Sequence, residues 1–311
     1  MKSGFIGIIG RPNVGKSTLL NSILGEKIAI TTEKPQTTRN TIRGIYTRMA
    51  ENEEGERDCE CQMVFIDTPG IHKPKNKLGT FMTDSAVNTL KEVDVILFLV
   101  DSEFEGEGSG DAYIVDLLRS NNTPKVLVIN KIDKIDPDVF ERIYHYYEGL
   151  ELFDAIVGTN AKKGQNVDEL LETLEDLLAE GPMFFPEEMI TDNPERFLVS
   201  EIIREKALLY LNDEVPHGVA VEIEKFNEQP GISNISAVIY CEKDSHKGII
   251  IGRDGRKLKG IGKSARLEIE ALLGTKVYLE LFVKVKKNWR QSDVMLGNFG
   301  YVASWKTDLH R

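Results

Sequence analysis

One short segment, residues 10–17, constrains the fold of this chain more than any other feature. It reads GRPNVGKS, matches G-x-x-x-x-G-K-[ST], and lies between an apolar run at residues 5–9 and an amphipathic stretch at residues 17–24. A strand, a glycine-rich loop and a helix in this order turn successive backbone N–H groups towards a phosphate. A glycine loop without a ligand is the alternative for the motif alone, but this context predicts a nucleotide site. We expect Lys16 to bridge the β- and γ-phosphates and the Ser17 hydroxyl to bind Mg²⁺.

The first 180 residues alternate apolar runs with amphipathic stretches. Strands are predicted at residues 5–9, 44–49, 62–67, 93–101 and 125–130 and near Ala155. Helices are predicted at residues 17–24, 78–92, 110–120, 137–150 and 166–179. Continuously apolar strands that alternate with helices predict an α/β domain with a mostly parallel sheet. We interpret the acidic residues 51–60 as the exposed turn of a hairpin.

Prolines and a change of pattern divide the chain in two. Pro182, Pro186 and Pro194 follow the last helix of the first pattern. They predict a domain at residues 1–180, a linker at residues 181–193 and a second domain at residues 194–311 that ends in a C-terminal tail. The second domain has predicted helices at residues 194–211 and on both sides of residues 252–255, and predicted strands at residues 218–226, 232–241 and 276–287. The resulting α-β-β-α-α-β order predicts a smaller α+β domain.

A second motif follows at the end of a buried strand. Residues 64–70 read VFIDTPG. Asp67 can hold Mg²⁺ through water, and the Gly70 N–H can contact a γ-phosphate. Lys16 and Gly70 are therefore candidate catalytic groups, and Ser17 and Asp67 are candidate magnesium ligands.

A third motif selects the base. Asn130, Lys131 and Asp133 belong to an N-K-I-D segment at the end of another predicted strand, where open parallel sheets bind ligands. An aspartate that accepts two parallel N–H bonds matches guanine, whereas adenine offers no such pair of donors. The predicted nucleotide contacts in these three motifs are Gly10, Arg11, Pro12, Asn13, Val14, Gly15, Lys16, Ser17, Thr18, Asp67, Thr68, Pro69, Gly70, Asn130, Lys131 and Asp133.

The charge of the chain is unevenly distributed. The net charge is −11, which argues against a general affinity for nucleic acid. Residues 241–290, however, hold 13 Lys and Arg against 6 Asp and Glu, so they carry +7 and leave −18 for the rest. This asymmetry predicts an anionic partner for the basic segment.

The three cysteines indicate no disulfide framework, and we expect an intracellular, soluble protein without a metal site at Cys59 and Cys61.

The basic segment contains a G-x-x-G turn, Gly252 to Gly255, between two helical stretches. A KH module uses such a turn to hold the backbone of about four unpaired nucleotides. A turn without a ligand is the usual alternative, but the α-β-β-α-α-β order and the positive charge favour RNA. The predicted RNA contacts are Lys247, Gly248, Ile251, Gly252, Arg253, Gly255, Arg256, Lys257, Lys259, Lys263, Lys286 and Arg290. Trp289 could stack on a base or pack against the C-terminal tail.

The combination of motifs resembles a known family. GRPNVGKS, the P-Q-T-T-R segment that contains Thr37 and Thr38, and DTPGIHKPK are similar to the Era family of bacterial GTPases. The resemblance implies a P-loop GTPase domain with a mostly parallel sheet, followed by a smaller type II KH domain. It also implies that a threonine of the first mobile loop senses the γ-phosphate through Mg²⁺. Thr38 is the first candidate, both as a catalytic residue and as a magnesium ligand, with Thr37 second. The family's base-contacting Ser-Ala loop corresponds to Asn160, Ala161 and Lys162; the Ala161 N–H and Lys162 are expected contacts.

The resemblance also bears on hydrolysis. The glutamine that orients water in Ras-like enzymes is replaced by Ile71, so we expect slow intrinsic hydrolysis. In related GTPases that lack this glutamine, a P-loop asparagine can recruit a monovalent cation. A potassium-assisted mechanism through Asn13 is therefore a hypothesis, and a purely structural role for Asn13 is the alternative.

The family further implies the partners. They are the 3′ region of 16S ribosomal RNA and the 30S subunit, whose maturation the protein would assist. The implied location is cytoplasmic, with a peripheral association at the inner face of the membrane and no transmembrane segment. Two other readings stay open: a constitutive RNA-binding protein with a structural nucleotide site, and an RNA-modifying enzyme with a GTPase module.

Overall fold

The structure, a computed structural model, describes residues 1–34, 36–51, 57–101 and 110–301. The chain divides into two compact units. The first contains Met1–Ala29, Thr38–Lys73 and Met82–Asp192, and the second contains Ile30–Thr37, Pro74–Phe81 and Asn193–Arg311. Residues 52–56 of the predicted acidic turn at residues 51–60, and residues 302–311 of the predicted C-terminal tail, lie outside the described residues.

The first unit contains a six-stranded sheet. Its strands are β1 Lys2–Gly10, β2 Ile42–Glu51, β3 Arg57–Asp67, β4 Val95–Val100, β5 Lys125–Asn130 and β6 Ala155–Thr159. Their order is β2-β3-β1-β4-β5-β6, and only the β2–β3 pair of this sheet is antiparallel in the described residues. Every residue of β4 and β5 is buried, as expected for strands covered on both faces. The predicted mostly parallel sheet is therefore confirmed.

Helices follow the strands of this sheet. They are α1 Lys16–Leu24, α2 Lys77–Thr89, α3 Gly110–Arg119, α4 Pro137–Glu148 and α5 Val167–Leu177. Helix α5 shows how the sequence positions them: Val167, Leu170, Leu171 and Leu174 recur at helical spacing and are buried. In α4, proline occupies the first turn, where its missing N–H breaks no helical bond.

The predicted linker is attached to the sheet of the first unit. The buried Gln62 side chain donates to the Phe185 carbonyl at 2.8 Å and accepts from the Phe184 and Phe185 amides at 2.7 and 3.0 Å. Further on, the Ile45 amide donates to the Ile190 carbonyl at 2.9 Å. These bonds give the linker a fixed path along β2 and β3, although its composition indicated only a connector.

The second unit contains a three-stranded sheet of order β7-β8-β9, formed by β7 Ala220–Gln229, β8 Ile232–Cys241 and β9 Lys276–Val285. Strand β7 is antiparallel to β8, and β9 is parallel to it. The helices are α6 Glu195–Tyr210, α7 Asp244–Ile251, α8 Arg256–Leu273 and α9 Asp293–Asn298. This is the predicted α-β-β-α-α-β order, with α9 following it.

The core of the second unit lies between its helices and its sheet. Helix α8 buries Ile261, Ala265 and Ile269 at a spacing of four residues. They join Ile250 of α7 and buried residues of α6 and β8 in one apolar cluster. This packing fixes the start of α8, and with it the G-x-x-G turn.

Candidate nucleotide site and nucleic-acid interface

Two glycines give the phosphate loop (residues 10–17) its shape. Gly10 has φ +151° and Gly15 has φ +108°. A Cβ on Gly10 would lie 2.5 Å from the Leu99 carbonyl oxygen, and one on Gly15 would lie 2.2 Å from Asn130 Nδ2. The loop can therefore curve as it does only because these positions lack side chains.

Lys16 is buried at the start of α1. Its Nζ donates to the carbonyl oxygens of Gly10 and Arg11 at 3.1 and 2.9 Å, so the ammonium group lies inside the phosphate loop. Burial lowers the pKa of Lys16 to about 8, although the negative charges of Asp67 and Asp111 oppose this effect. A buried cation with few partners is well placed to bind a phosphate.

Three oxygen-bearing side chains meet beside Lys16. Ser17 Oγ donates to Asp67 Oδ2 at 2.6 Å and lies 2.8 Å from Thr38 Oγ1. Asp67 is fully buried, and its Oδ1 has no hydrogen-bond partner within the described part of the chain. Burial raises the pKa of Asp67 to about 6, against the effects of Lys16 and of the Ser17 hydrogen bond. An unpaired buried carboxylate oxygen beside two hydroxyls fits Mg²⁺, which prefers oxygen ligands.

The two candidate threonines have different surroundings. Thr38 Oγ1 contacts Ser17, whereas Thr37 Oγ1 donates to the Lys34 carbonyl at 2.7 Å and lies 2.6 Å from Thr32 Oγ1. Only the first of these hydroxyls adjoins the oxygen cluster, which favours Thr38 as the metal ligand.

The DTPG segment (residues 67–70) lies against the phosphate loop. A Cβ on Gly70 would be 2.7 Å from the Pro12 nitrogen, so glycine permits this close approach. The Thr68 hydroxyl donates to the Ile8 carbonyl at 2.7 Å. Ile71, which replaces the expected glutamine, is buried, and its N–H donates to the Gly10 carbonyl at 3.1 Å. Its apolar side chain cannot orient water.

Asn130 connects the phosphate loop to the base-contacting segment. Its Nδ2 donates to the Val14 carbonyl at 2.8 Å, and its Oδ1 accepts from the Ala161 N–H at 3.0 Å and from Thr159 Oγ1 at 3.2 Å. One amide group thus fixes three segments of the chain. Asn160, at the family's serine position, is buried next to Ala161.

The guanine loop (residues 130–133) has an unusual backbone at Lys131. This residue has φ +62°, and its Nζ donates to the Asn13 carbonyl at 2.7 Å. Asp133 follows in a short 3₁₀ turn and is exposed, as is Lys162. The Asp133 carboxylate is therefore accessible to a base.

In the second unit, the G-x-x-G turn depends on its glycines. Gly252 and Gly255 have φ +71° and +70°, and Asp254 has φ +54°. A Cβ on Gly252 would lie 2.7 Å from Lys257 Cβ, so this position has no room for a side chain. Arg253 and Arg256 extend from the turn and are exposed, which leaves both guanidinium groups accessible to phosphates.

A groove of about 380 Å³ lies between α8 and β9. Its lining combines apolar side chains with exposed cations: Leu258, Lys259, Gly262, Lys263, Arg266, Leu279 and Leu281. An apolar surface beside a row of positive charges suits unpaired bases and their phosphates.

The other predicted RNA contacts lie on neighbouring elements of the second unit. Lys247, Gly248 and Ile251 lie on α7, and Lys286 is exposed after β9. Arg290 Nε donates to Glu242 at 3.0 Å, so an acidic partner already holds its charge. Trp289 is fully buried and its Nε1 donates to the Gly218 carbonyl at 2.9 Å. Of its two suggested roles, the structure supports packing.

Comparisons with known proteins agree with both predicted domain types. A family described as 50S ribosome-binding GTPase matches residues 5–131, and the KH domain family matches residues 214–290. GTPase Era of Clostridioides difficile is 57% identical over 303 residues, which cover 96% of this chain and 98% of that protein. The chain belongs to the Era GTPase family. GTPase Era of Thermoanaerobacter sp. is 50% identical over 98% of both chains.

Solved structures of Era share the fold. A single-residue variant of Aquifex aeolicus Era bound to GDP·AlF₄⁻ matches with a TM-score of 0.90 and 41% identity, over 97% of this chain and 100% of that one. Era in complex with MgGDPNP and nucleotides 1506–1542 of 16S ribosomal RNA matches with the same values. The predicted order, a P-loop GTPase domain followed by a KH domain, is confirmed.

Three side chains at the two candidate sites were not singled out by the sequence. Leu279 and Leu281 form part of the groove but resemble ordinary strand residues. Asp101, the residue after β4, is 3% exposed and pairs with Lys131 and Arg11. A charged residue directly after a fully apolar strand was the available signal, but it also marks an ordinary strand end.

Proposed function

We propose that this protein is a GTP-hydrolysing switch that binds the 3′ region of 16S ribosomal RNA and assists maturation of the 30S subunit. The observation that carries the proposal is the presence, in one Era-family chain, of the Ser17–Thr38–Asp67 oxygen cluster and the groove beside the G-x-x-G turn. The solved Era complex with nucleotides 1506–1542 of 16S ribosomal RNA supports the choice of RNA.

The residues of the first unit divide the work of binding GTP. Lys16 and the backbone N–H groups of the phosphate loop hold the phosphates. Ser17, Thr38 and Asp67 would hold Mg²⁺, which neutralises phosphate charge when bound. Asp133 accepts from guanine. The Ala161 N–H, which donates to Asn130 Oδ1 at 3.0 Å in this structure, is the second proposed contact with the base.

Hydrolysis relies on positioning. Because Ile71 cannot hold the attacking water, stabilisation of the transferred phosphoryl group rests on Lys16 and on backbone donors such as the Gly70 N–H. We propose that Asn13, with φ +67°, helps to recruit K⁺ near the phosphates. Equal hydrolysis rates in potassium and in sodium would exclude this role.

The second unit supplies the RNA site. Backbone amides of the G-x-x-G turn face phosphates, Lys259, Lys263 and Arg266 neutralise their charge, and bases rest on Leu258, Leu279 and Leu281.

Since Thr38 and Gly70 both respond to the γ-phosphate, GTP orders two loops that are released after hydrolysis. The switch thus makes RNA affinity depend on the nucleotide.

This dependence can be measured directly. The affinity for a short 16S 3′-end oligonucleotide should differ between protein saturated with a non-hydrolysable GTP analogue and protein saturated with GDP. Thr38→Ala should remove the difference, whereas the matched variant Thr37→Ala should retain it. Equal RNA affinity of the parent protein with GTP analogue, GDP and no nucleotide would favour the constitutive RNA-binding alternative.

The proposed location is cytoplasmic, with a peripheral association at the inner face of the membrane. In the part of the chain that the structure describes, no helix has the length and apolar character needed to span a bilayer. Sedimentation of the full chain with anionic vesicles tests the peripheral association.

A further inference from the structure

Asp101 lies at the carboxyl ends of the parallel strands, where the phosphate loop and the guanine loop begin. Strand β4 is between β1 and β5, with Gly10 paired to Leu99 and Ile129 paired to Val100. Strand β1 leads into the phosphate loop and β5 leads into the guanine loop. The next residue after β4 is therefore within reach of both loops.

The Asp101 carboxylate contacts one cation from each loop. Oδ2 accepts from Lys131 Nζ at 2.6 Å, and Oδ1 accepts from Arg11 Nη2 at 3.4 Å. The same Lys131 ammonium donates to the Asn13 carbonyl, so a single side chain connects Asp101 to the phosphate loop a second time. A carboxylate buried to 3% exposure is tolerated only when it is paired in this way.

The position of Arg11 is fixed from a second direction. Its Nε lies 2.9 Å from Asp111 Oδ1, and a Cβ on Gly110 would be 2.8 Å from its Cδ. Arg11, Lys131, Asp101 and Asp111 together carry no net charge. Removing the charge of Asp101 would leave two cations facing one anion in a poorly solvated place.

Lys131 needs such support because of its backbone. At φ +62° a residue with a side chain is strained, and strained residues persist where surrounding contacts hold them. The 2.6 Å bond to Asp101 is one of these contacts.

We propose that Asp101 is a positioning residue for guanine-nucleotide binding, which holds the phosphate loop and the guanine loop together through Arg11 and Lys131. It acts equally on bound GTP before and during hydrolysis, because it supports the loops rather than the transferred phosphoryl group. Its loss should therefore raise KM and leave kcat unchanged. The proposal rests on the assignment of these loops to GTP.

Asp101→Asn tests the proposal, with Asp94→Asn as the matched control. Asp94 precedes β4, at the opposite end of this strand from Asp101. Its carboxylate accepts from the Phe5 N–H at 2.8 Å. We expect Asp101→Asn to weaken GDP and GTP-analogue binding and to raise KM by about tenfold, equal to about 1.4 kcal/mol, with kcat within twofold. The control should bind nucleotide like the parent.

A double-mutant cycle tests the route through Lys131. In a Lys131→Met background, Asp101→Asn should weaken GDP binding less than twofold, because its main partner is already gone. Parental affinity in Asp101→Asn, a fall in kcat at constant KM, or additive effects in the cycle would overturn the proposal. If Asp101→Asn does not fold, Asp101→Glu, which retains the charge, replaces it. This variant should also raise KM without changing kcat, but by less than Asp101→Asn. The GTP affinity of the parent, measured first, separates failure of this proposal from failure of the nucleotide assignment.

Discussion

The three cations along the groove between α8 and β9 allow a quantitative test of RNA binding. For single-stranded nucleic acid, the logarithm of the association constant falls with the logarithm of salt concentration by about 0.7 per neutralised phosphate. A tenfold decrease in salt concentration, from 1 M to 0.1 M, therefore raises the RNA affinity by about fivefold for each phosphate contact. If Lys259, Lys263 and Arg266 each neutralise one phosphate, replacing all three with Gln should weaken binding about 100-fold, or by about 3 kcal/mol.

Fluorescence anisotropy with a labelled 16S 3′-end oligonucleotide would give this slope. Titrations between 0.05 and 0.4 M KCl, on protein saturated with a non-hydrolysable GTP analogue, should show a decrease in slope of about 0.7 for each Gln variant and of about 2 for the triple variant. Lys225→Gln is the matched control, because Lys225 is exposed on β7, at the other edge of the sheet. Nucleotide affinity should be unchanged in all of them.

Two results would refute the reasoning. A triple variant with the parental slope would place the RNA away from this groove. A decrease of the same size in Lys225→Gln would show that the general charge of the unit, rather than the groove, attracts RNA.

Three further predictions concern the first unit. Asp133→Asn should weaken GTP binding and favour xanthosine triphosphate in competition titrations, because the base contact then requires an acceptor on the purine; unchanged GTP preference would contradict it. In nucleotide- and Mg²⁺-free protein, burial raises the pKa of Asp67 from its ordinary value of 3.8 to about 6. Its contribution to the stability of the fold is therefore fully present below about pH 3.8 and is lost as pH rises through 6. Hydrogen exchange of the β4 amides should show this decrease in stability with pH in the parent, and Asp67→Asn should lack it. Gln62→Met should leave the Phe184 and Phe185 amides without an acceptor, so limited proteolysis should cut the linker sooner than in the parent, and equal cutting rates would argue against this anchor.

The sequence predicted the parts of the first unit where local chemistry has few solutions. Gly10 and Gly15 occupy backbone conformations and spaces that exclude a Cβ, which is why the motif that contains them indicates the loop so reliably. The fully buried strand β5 was found at its predicted bounds, because its continuous apolar run ends where the sheet ends. For β4 the prediction was too long: Val93 is buried but precedes the first paired residue.

What the sequence did not predict depends on partners that are distant along the chain. Asp101 contacts Arg11 and Lys131 across 90 and 30 residues, and no local pattern encodes such a pairing. Gln62 lies more than 120 residues from the linker that it holds. A single polar residue within a strand, such as Gln62, or directly after one, such as Asp101, is usually read as solvent-facing. Only the folded chain shows that both groups are buried.

The buried charges of Lys16 and Asp67 also link binding to stability. Burial lowers the pKa of the lysine to about 8 and raises that of the aspartate to about 6, so both are ionised between these values although burial disfavours both charges. Their mutual attraction and the Ser17 hydrogen bond offset only part of this penalty, since both pKa values remain shifted in the direction set by burial. Phosphate beside Lys16 and a cation beside Asp67 would supply the missing partners. Part of the free energy of nucleotide binding then comes from pairing these two charges, which are unfavourably buried in the ligand-free protein. Bound ligand should therefore stabilise β1 and β3 most, because these strands lead directly to Lys16 and Asp67.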